Sequence, residues 1–161
     1  MDIELTQLEM QFACLAALGR HDMARQKGRP DMKIGPQAAF TTDLVGILGE
    51  LAVAKYFQVY PDISWSQETT TGEADMIVND ARIDVKTTDL EGGHLIVRQE
   101  HKDHDIDCYI LAIASLKRMP TVRLAGWAIP EEMFRDERLT DFGHAVSYAM
   151  TQEELNPLDV I

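Results

Sequence analysis

The segment Ala74-Asp-Met-Ile-Val-Asn-Asp-Ala-Arg-Ile-Asp-Val-Lys86 carries two carboxylates and an ammonium whose spacing can gather them at one point. Asn79-Asp80 suits a two-residue hairpin loop. With that loop Val78 faces Ala81, Ile77 faces Arg82 and Met76 faces Ile83, so Asp75 faces Asp84. Opposed side chains in an antiparallel pair have Cβ atoms about 4.5–5.5 Å apart. Lys86, two residues beyond Asp84, emerges on the same face. Met76, Val78, Ile83 and Val85 make the other face apolar. Like charges placed directly opposite destabilise a sheet, so something positive is expected between them. Lys86 is one candidate. A hard divalent cation with oxygen ligands is the better one, and the Val85 carbonyl is a further oxygen for it. Taken alone, the hairpin charges would suit a solvated strand face equally well.

A third carboxylate stands in the segment before the hairpin. Leu44, Val45, Leu48, Leu51, Ala52 and Phe57 predict a strongly apolar helix, yet Glu50 lies in its middle. Gly46, Gly49 and Ala52 form a line of small residues at i, i+3 and i+6. Glycine inside a helix costs about 1 kcal/mol relative to alanine, so the pair asks for a packing or functional reason. A close approach of the helix to a sheet, delivering Glu50 to the Asp75/Asp84 pair, would be such a reason.

The remaining pattern supplies the framework. Leu5, Leu8, Phe12, Leu15, Ala16 and Met23 recur at helical spacing over 4–26. Residues 27–37 hold Gly28, Pro30, Gly35 and Pro36 and read as a loop, after which Thr42 or Asp43 is expected to cap the Glu50 helix. A short strand is expected near Ile63–Trp65. Strands are then expected over 75–78, 82–88, 94–98, 108–114, 122–129 and 145–150. Pro130-Glu-Glu reads as the start of a short helix, and Thr151-Gln-Glu-Glu154 has capping-box spacing. The order predicts one α/β domain over 1–161, with 1–37 as an N-terminal helix and basic loop and 40–135 as the core.

The helix Gly46-Ile-Leu-Gly-Glu50, the strand acid Asp75 and the run Asp84-Val85-Lys86 resemble the PD-(D/E)XK nuclease superfamily in type and order, although Ala74 stands where that pattern has proline. Asp107-Cys-Tyr-Ile-Leu-Ala and Leu124-Ala-Gly-Trp-Ala-Ile-Pro-Glu-Glu are similar to later elements of its phage-type members. The resemblance spans about residues 40–135. It implies a restriction-endonuclease-like three-layer α/β fold, with a mixed central sheet flanked by helices. It further implies a metal-dependent nuclease that hydrolyses phosphodiester bonds in DNA, as an endonuclease of phage type. Catalysis would fall to Glu50, Asp75, Asp84 and Lys86. Glu50, Asp75, Asp84 and Val85 would hold Mg²⁺, or Mn²⁺ as a substitute. Two alternatives stand beside it: a junction-resolving nuclease acting as a homodimer, and a non-catalytic module that binds nucleic acid or protein.

Charge qualifies this expectation. Fifteen Lys and Arg against 27 Asp and Glu give a net charge of −12, whereas nucleic-acid binders usually show a basic footprint. Residues 1–40 are balanced, however, with Arg20, Arg25, Lys27, Arg29 and Lys33 against five acids. Screening confines surface charge to about 8 Å at physiological salt, so a local basic arm can still meet phosphate. These five residues, with Thr88 on the Asp84/Lys86 face, are the candidate nucleic-acid contacts. His94, His101 and His104 with Asp103, Asp105 and Asp107 lack a defined zinc spacing and read as a solvated loop. Trp65 and Trp127 read as packing residues. Cys14 and Cys108 read as buried free thiols. No apolar run approaches the roughly 20 residues of a membrane span and no basic leader opens the chain, so a cytoplasmic protein is expected.

Overall fold

The computed structural model describes residues 1–26, 39–61, 74–143 and 145–160. Its elements are β1 (Asp2–Glu4), α1 (Gln7–Gln26), α2 (Ala39–Phe57), β2 (Met76–Val78), β3 (Ala81–Thr88) and β4 (Leu95–Arg98). After a 3-10 turn at Gln99–His101 come β5 (Cys108–Ile113), β6 (Thr121–Ala128), α3 (Pro130–Met133), β7 (Leu139–Asp141) and β8 (Val146–Met150). The strand expected near Ile63–Trp65, and Trp65 itself, lie outside the described residues.

Five strands form one mixed sheet in the order β1-β6-β5-β3-β2, in which only β3 and β5 are parallel. Every residue of β5 is buried, so both faces of the sheet must be covered. Cys108, Ile110 and Ala112 pack with α1, α2, Ile83 and Val85. Tyr109, Leu111 and Ile113 pack instead with Leu95, Val97, Met133, Tyr148 and Met150. The second cover is thus a three-stranded sheet, β4-β8-β7, together with the four-residue α3. The mixed α/β class matches the sequence reading. Helices on both faces do not: among the described residues the long helices lie on one side and strands on the other.

Three local differences have physical causes. The Leu8–Leu15 stripe was expected inward, yet Leu8 is 75% and Leu15 65% exposed, while Ala13, Ala16 and Ala17 are buried. Alanines let α1 lie close to α2, and their small area made them a weak hydrophobic signal. Helix α1 begins later than expected because Thr6 caps it: its amide donates to Glu9 Oε2 at 2.6 Å and its hydroxyl accepts from the Glu9 amide at 3.2 Å. Neither Thr42 nor Asp43 caps α2, which starts at Ala39; Asp43 Oδ2 lies 3.1 Å from His21 Nδ1 on α1 instead. Cys14 is exposed, contrary to expectation, while Cys108 is buried. Among the described residues no helix is long and apolar enough to cross a membrane.

Candidate active site

The hairpin β2–β3 closes through Asn79 and Asp80, both left-handed at φ 48° and 69°, as a two-residue loop of this twist requires. Val78 pairs with Ala81, Ile77 with Arg82 and Met76 with Ile83, as the sequence predicts. The Asp75 amide donates to the Ile83 carbonyl at 2.9 Å, and continuing the register sets Asp75 opposite Asp84. Met76, Val78, Ile83 and Val85 are buried on the helix side.

Asp75 is fixed by its backbone neighbour, since the Val85 amide donates to its Oδ2 at 2.7 Å. Burial first, and then the negative charges of Glu50 and Asp84, push the Asp75 carboxyl well above the usual aspartate range. The Val85 amide and Lys86 act in the opposite direction without cancelling the rise. Glu50, Asp84 and Lys86 therefore all lie within electrostatic reach of one partly enclosed carboxyl.

Each carboxylate has a partner. Arg20 of α1 grips Glu50 in a two-pronged pair, Nη1 to Oε1 and Nη2 to Oε2, both at 2.7 Å. Lys86 Nζ lies 2.5 Å from Asp84 Oδ2. Arg20 was expected on a basic arm for nucleic acid; the structure turns it inward onto Glu50. The side chain of Arg25, and Lys27, Arg29 and Lys33, lie outside the described residues. The Thr88 hydroxyl accepts the Leu90 amide at 3.2 Å and so serves the turn after β3.

The position of Glu50 depends on the glycine before it. A Cβ on Gly49 would come within 3.0 Å of Thr87 Cβ and 2.9 Å of Thr87 Cγ2, so α2 rests directly on β3 there. Gly46 is different, because a Cβ there would meet nothing among the described residues within 4 Å. Only one of the two glycines is required for close packing.

Among the described residues no three carboxylate, histidine or cysteine side chains converge closely enough to hold a metal ion as they stand. In this arrangement Arg20 pairs with both oxygens of Glu50, Lys86 with Asp84, and the Val85 amide with one oxygen of Asp75. The donor set is nevertheless all oxygen and anionic, as hard divalent cations require. The mutual repulsion around Asp75 is the kind that such an ion relieves.

Two further residues join the site without having been foreseen. Tyr109 pairs with Asp84 in the parallel β3–β5 register. Its hydroxyl is buried without a hydrogen-bond partner among the described residues, and burial with the nearby Asp84 charge pushes its pKa up. His101 feels the charges of both Lys86 and Asp84. Tyr109 could have been found only by knowing that β5 runs parallel to β3, and no local signal says so. His101 follows directly on a legible strand, but the face that strand covers is a tertiary fact. Neither a family model, nor a characterised protein, nor a solved structure matches this chain.

Proposed function

We propose that this chain is a divalent-metal-dependent nuclease that hydrolyses phosphodiester bonds, with DNA as its substrate. The observation that carries the reading is the Asp75 carboxyl, driven up by burial and by the charges of Glu50 and Asp84, with Lys86 against Asp84. Asp75, Asp84 and Glu50, with the Val85 carbonyl, would hold Mg²⁺ or Mn²⁺. Such an ion supplies Lewis-acid polarisation of the phosphoryl group and a more acidic water.

The protein groups have separate tasks. The Val85 amide holds Asp75 in one orientation, so that carboxylate is placed before substrate arrives. Arg20 does the same for Glu50. Lys86 would leave Asp84 for a phosphate oxygen, meeting charge that grows as water adds to phosphorus and the P–O bond breaks. Branched junctions, cut by a homodimer, are the alternative substrate.

The Arg20–Glu50 pair favours a second reading. A helix acid so fully neutralised suits a non-catalytic module that binds nucleic acid or protein, and the −12 charge suits a protein partner. Thermal unfolding with and without Mg²⁺ separates the two. Binding to the folded state raises Tm by mass action. The nuclease reading expects a Mg²⁺-dependent rise in the wild type that is absent in Asp84→Ala; equal responses in both proteins would remove the metal site.

A further inference from the structure

Parallel strands need a crossover, and the crossover from β3 to β5 runs through β4 and the 3-10 turn Gln99–His101. Ile83 and Val85 pack on the helix side and Gly49 rests on Thr87, so Asp84 and Lys86 project from the opposite face. That is the face covered by β4 and β8, where the β3 neighbours Tyr109 and Leu111 are packed. The crossover therefore carries His101 across the side of the site on which Lys86 emerges.

The ring is held by packing rather than by hydrogen bonds. It stacks on His104, with centroids 4.5 Å apart and planes 20° from parallel. Its Nε2 is 3.7 Å from Glu100 Oε1, beyond hydrogen-bond length, and its side chain is 31% exposed. Among the described residues no hydrogen bond engages either ring nitrogen. Burial, then Lys86 and His104, lower the His101 pKa against the opposing charges of Glu100 and Asp84, and a neutral ring offers one N–H donor and one acceptor nitrogen.

We infer that His101 is a further substrate-contacting residue: its imidazole hydrogen-bonds a phosphate oxygen of the strand whose scissile group lies at Lys86. The inference rests on the nuclease reading and deepens it. A partly exposed ring with no hydrogen bond among the described residues, fixed by a stacked neighbour on the side from which Lys86 emerges, is placed to meet a backbone phosphate.

The test compares wild type, His101→Ala and His101→Gln in steady-state cleavage of a duplex oligonucleotide. It also follows the imidazole ¹⁵N–¹H resonances of the wild type as the same duplex is added with Ca²⁺ in place of Mg²⁺. A hydrogen bond to a charged group contributes roughly ten- to a hundredfold, so His101→Ala should raise KM at least about tenfold while changing kcat little. His101→Gln, which keeps a donor, should recover much of that loss, and the His101 resonance should shift on adding duplex. An unchanged KM with a static resonance overturns the inference while leaving the nuclease reading intact. A raised KM that glutamine does not rescue, again with a static resonance, makes the ring merely structural and also overturns it. Should the wild type cut nothing, the nuclease reading fails and the resonance alone decides: a shift sustains the phosphate contact, and none refutes it.

Discussion

Replacing Gly49 by alanine tests how the helix acid is positioned. The added Cβ would stand 3.0 Å from Thr87 Cβ and 2.9 Å from Thr87 Cγ2. Thr87 Oγ1 would stand closer still, and against an ordinary carbon–carbon contact of about 3.5 Å even the two carbons fall short by roughly half an ångström. Rotating the Thr87 side chain cannot clear it, because Thr87 Cβ moves only with its strand. Helix α2 must therefore lift from β3 and carry Glu50 with it. Overpacking of this kind costs about 1–3 kcal/mol, against about 1 kcal/mol gained in helix propensity. At Gly46 the same substitution meets nothing within 4 Å, so the propensity gain stands unopposed. Urea unfolding should show Gly46→Ala more stable than wild type by about 1 kcal/mol and Gly49→Ala less stable by about 1 kcal/mol. Thr87→Ala should restore part of the loss in the double variant. Misplacement by 1 Å can cost about a hundredfold in rate, so Gly49→Ala should also lower kcat roughly tenfold. Equal stabilisation by both alanines would refute the close-approach argument.

Asp75 binds its proton more tightly folded than unfolded, because its carboxyl is raised above the ordinary value of 3.8. Its contribution to stability is therefore full below that value and is lost as pH rises toward the folded one. Asp75→Asn keeps an acceptor for the Val85 amide without the charge. Urea midpoints in EDTA should match wild type in acid and exceed it increasingly toward neutral pH, and a difference of the opposite sign would contradict the assigned cause. Arg20→Ala leaves Glu50, 13% exposed, without its two-pronged partner. Since Arg20 itself is 35% exposed, the expected cost is roughly 1–2 kcal/mol, less than for a fully buried pair. Mg²⁺ should recover more of that stability than it adds to wild type, as calorimetry would show.

The hairpin was legible because two local signals agree. Alternating polarity over 75–88 sets the faces, and Asn79-Asp80 sets the register; one slipped residue would have turned Asp84 to the helix side. Glu50 stood out because a carboxylate in so apolar a helix has few places to go. Less could be read where the determinant is tertiary. The buried face of α1 is made by alanines that pack against another helix. Asp43, read as a cap of α2, lies inside that helix and faces His21 of α1 instead. Leu95–Arg98 and Val146–Met150 read correctly as strands, but nothing in their composition says that they pair with each other in a second sheet. His101 was read as part of a solvated loop because the histidine spacing fits no zinc pattern, and the face its turn covers is set by that second sheet. Arg20 was read as part of a basic arm because sequence spacing cannot reveal a partner 30 residues away.

The most direct measurement is metal-dependent cleavage by wild type and Lys86→Ala of supercoiled plasmid, linear duplex, single strands, a four-way junction and RNA. Each reaction would be run with Mg²⁺, with Mn²⁺ and with EDTA. The account predicts cutting of DNA by wild type with either metal, none in EDTA, and loss of about a hundredfold or more in Lys86→Ala with the fold intact. Cutting that survives Lys86→Ala, or no cutting of any substrate by folded wild type, would contradict it.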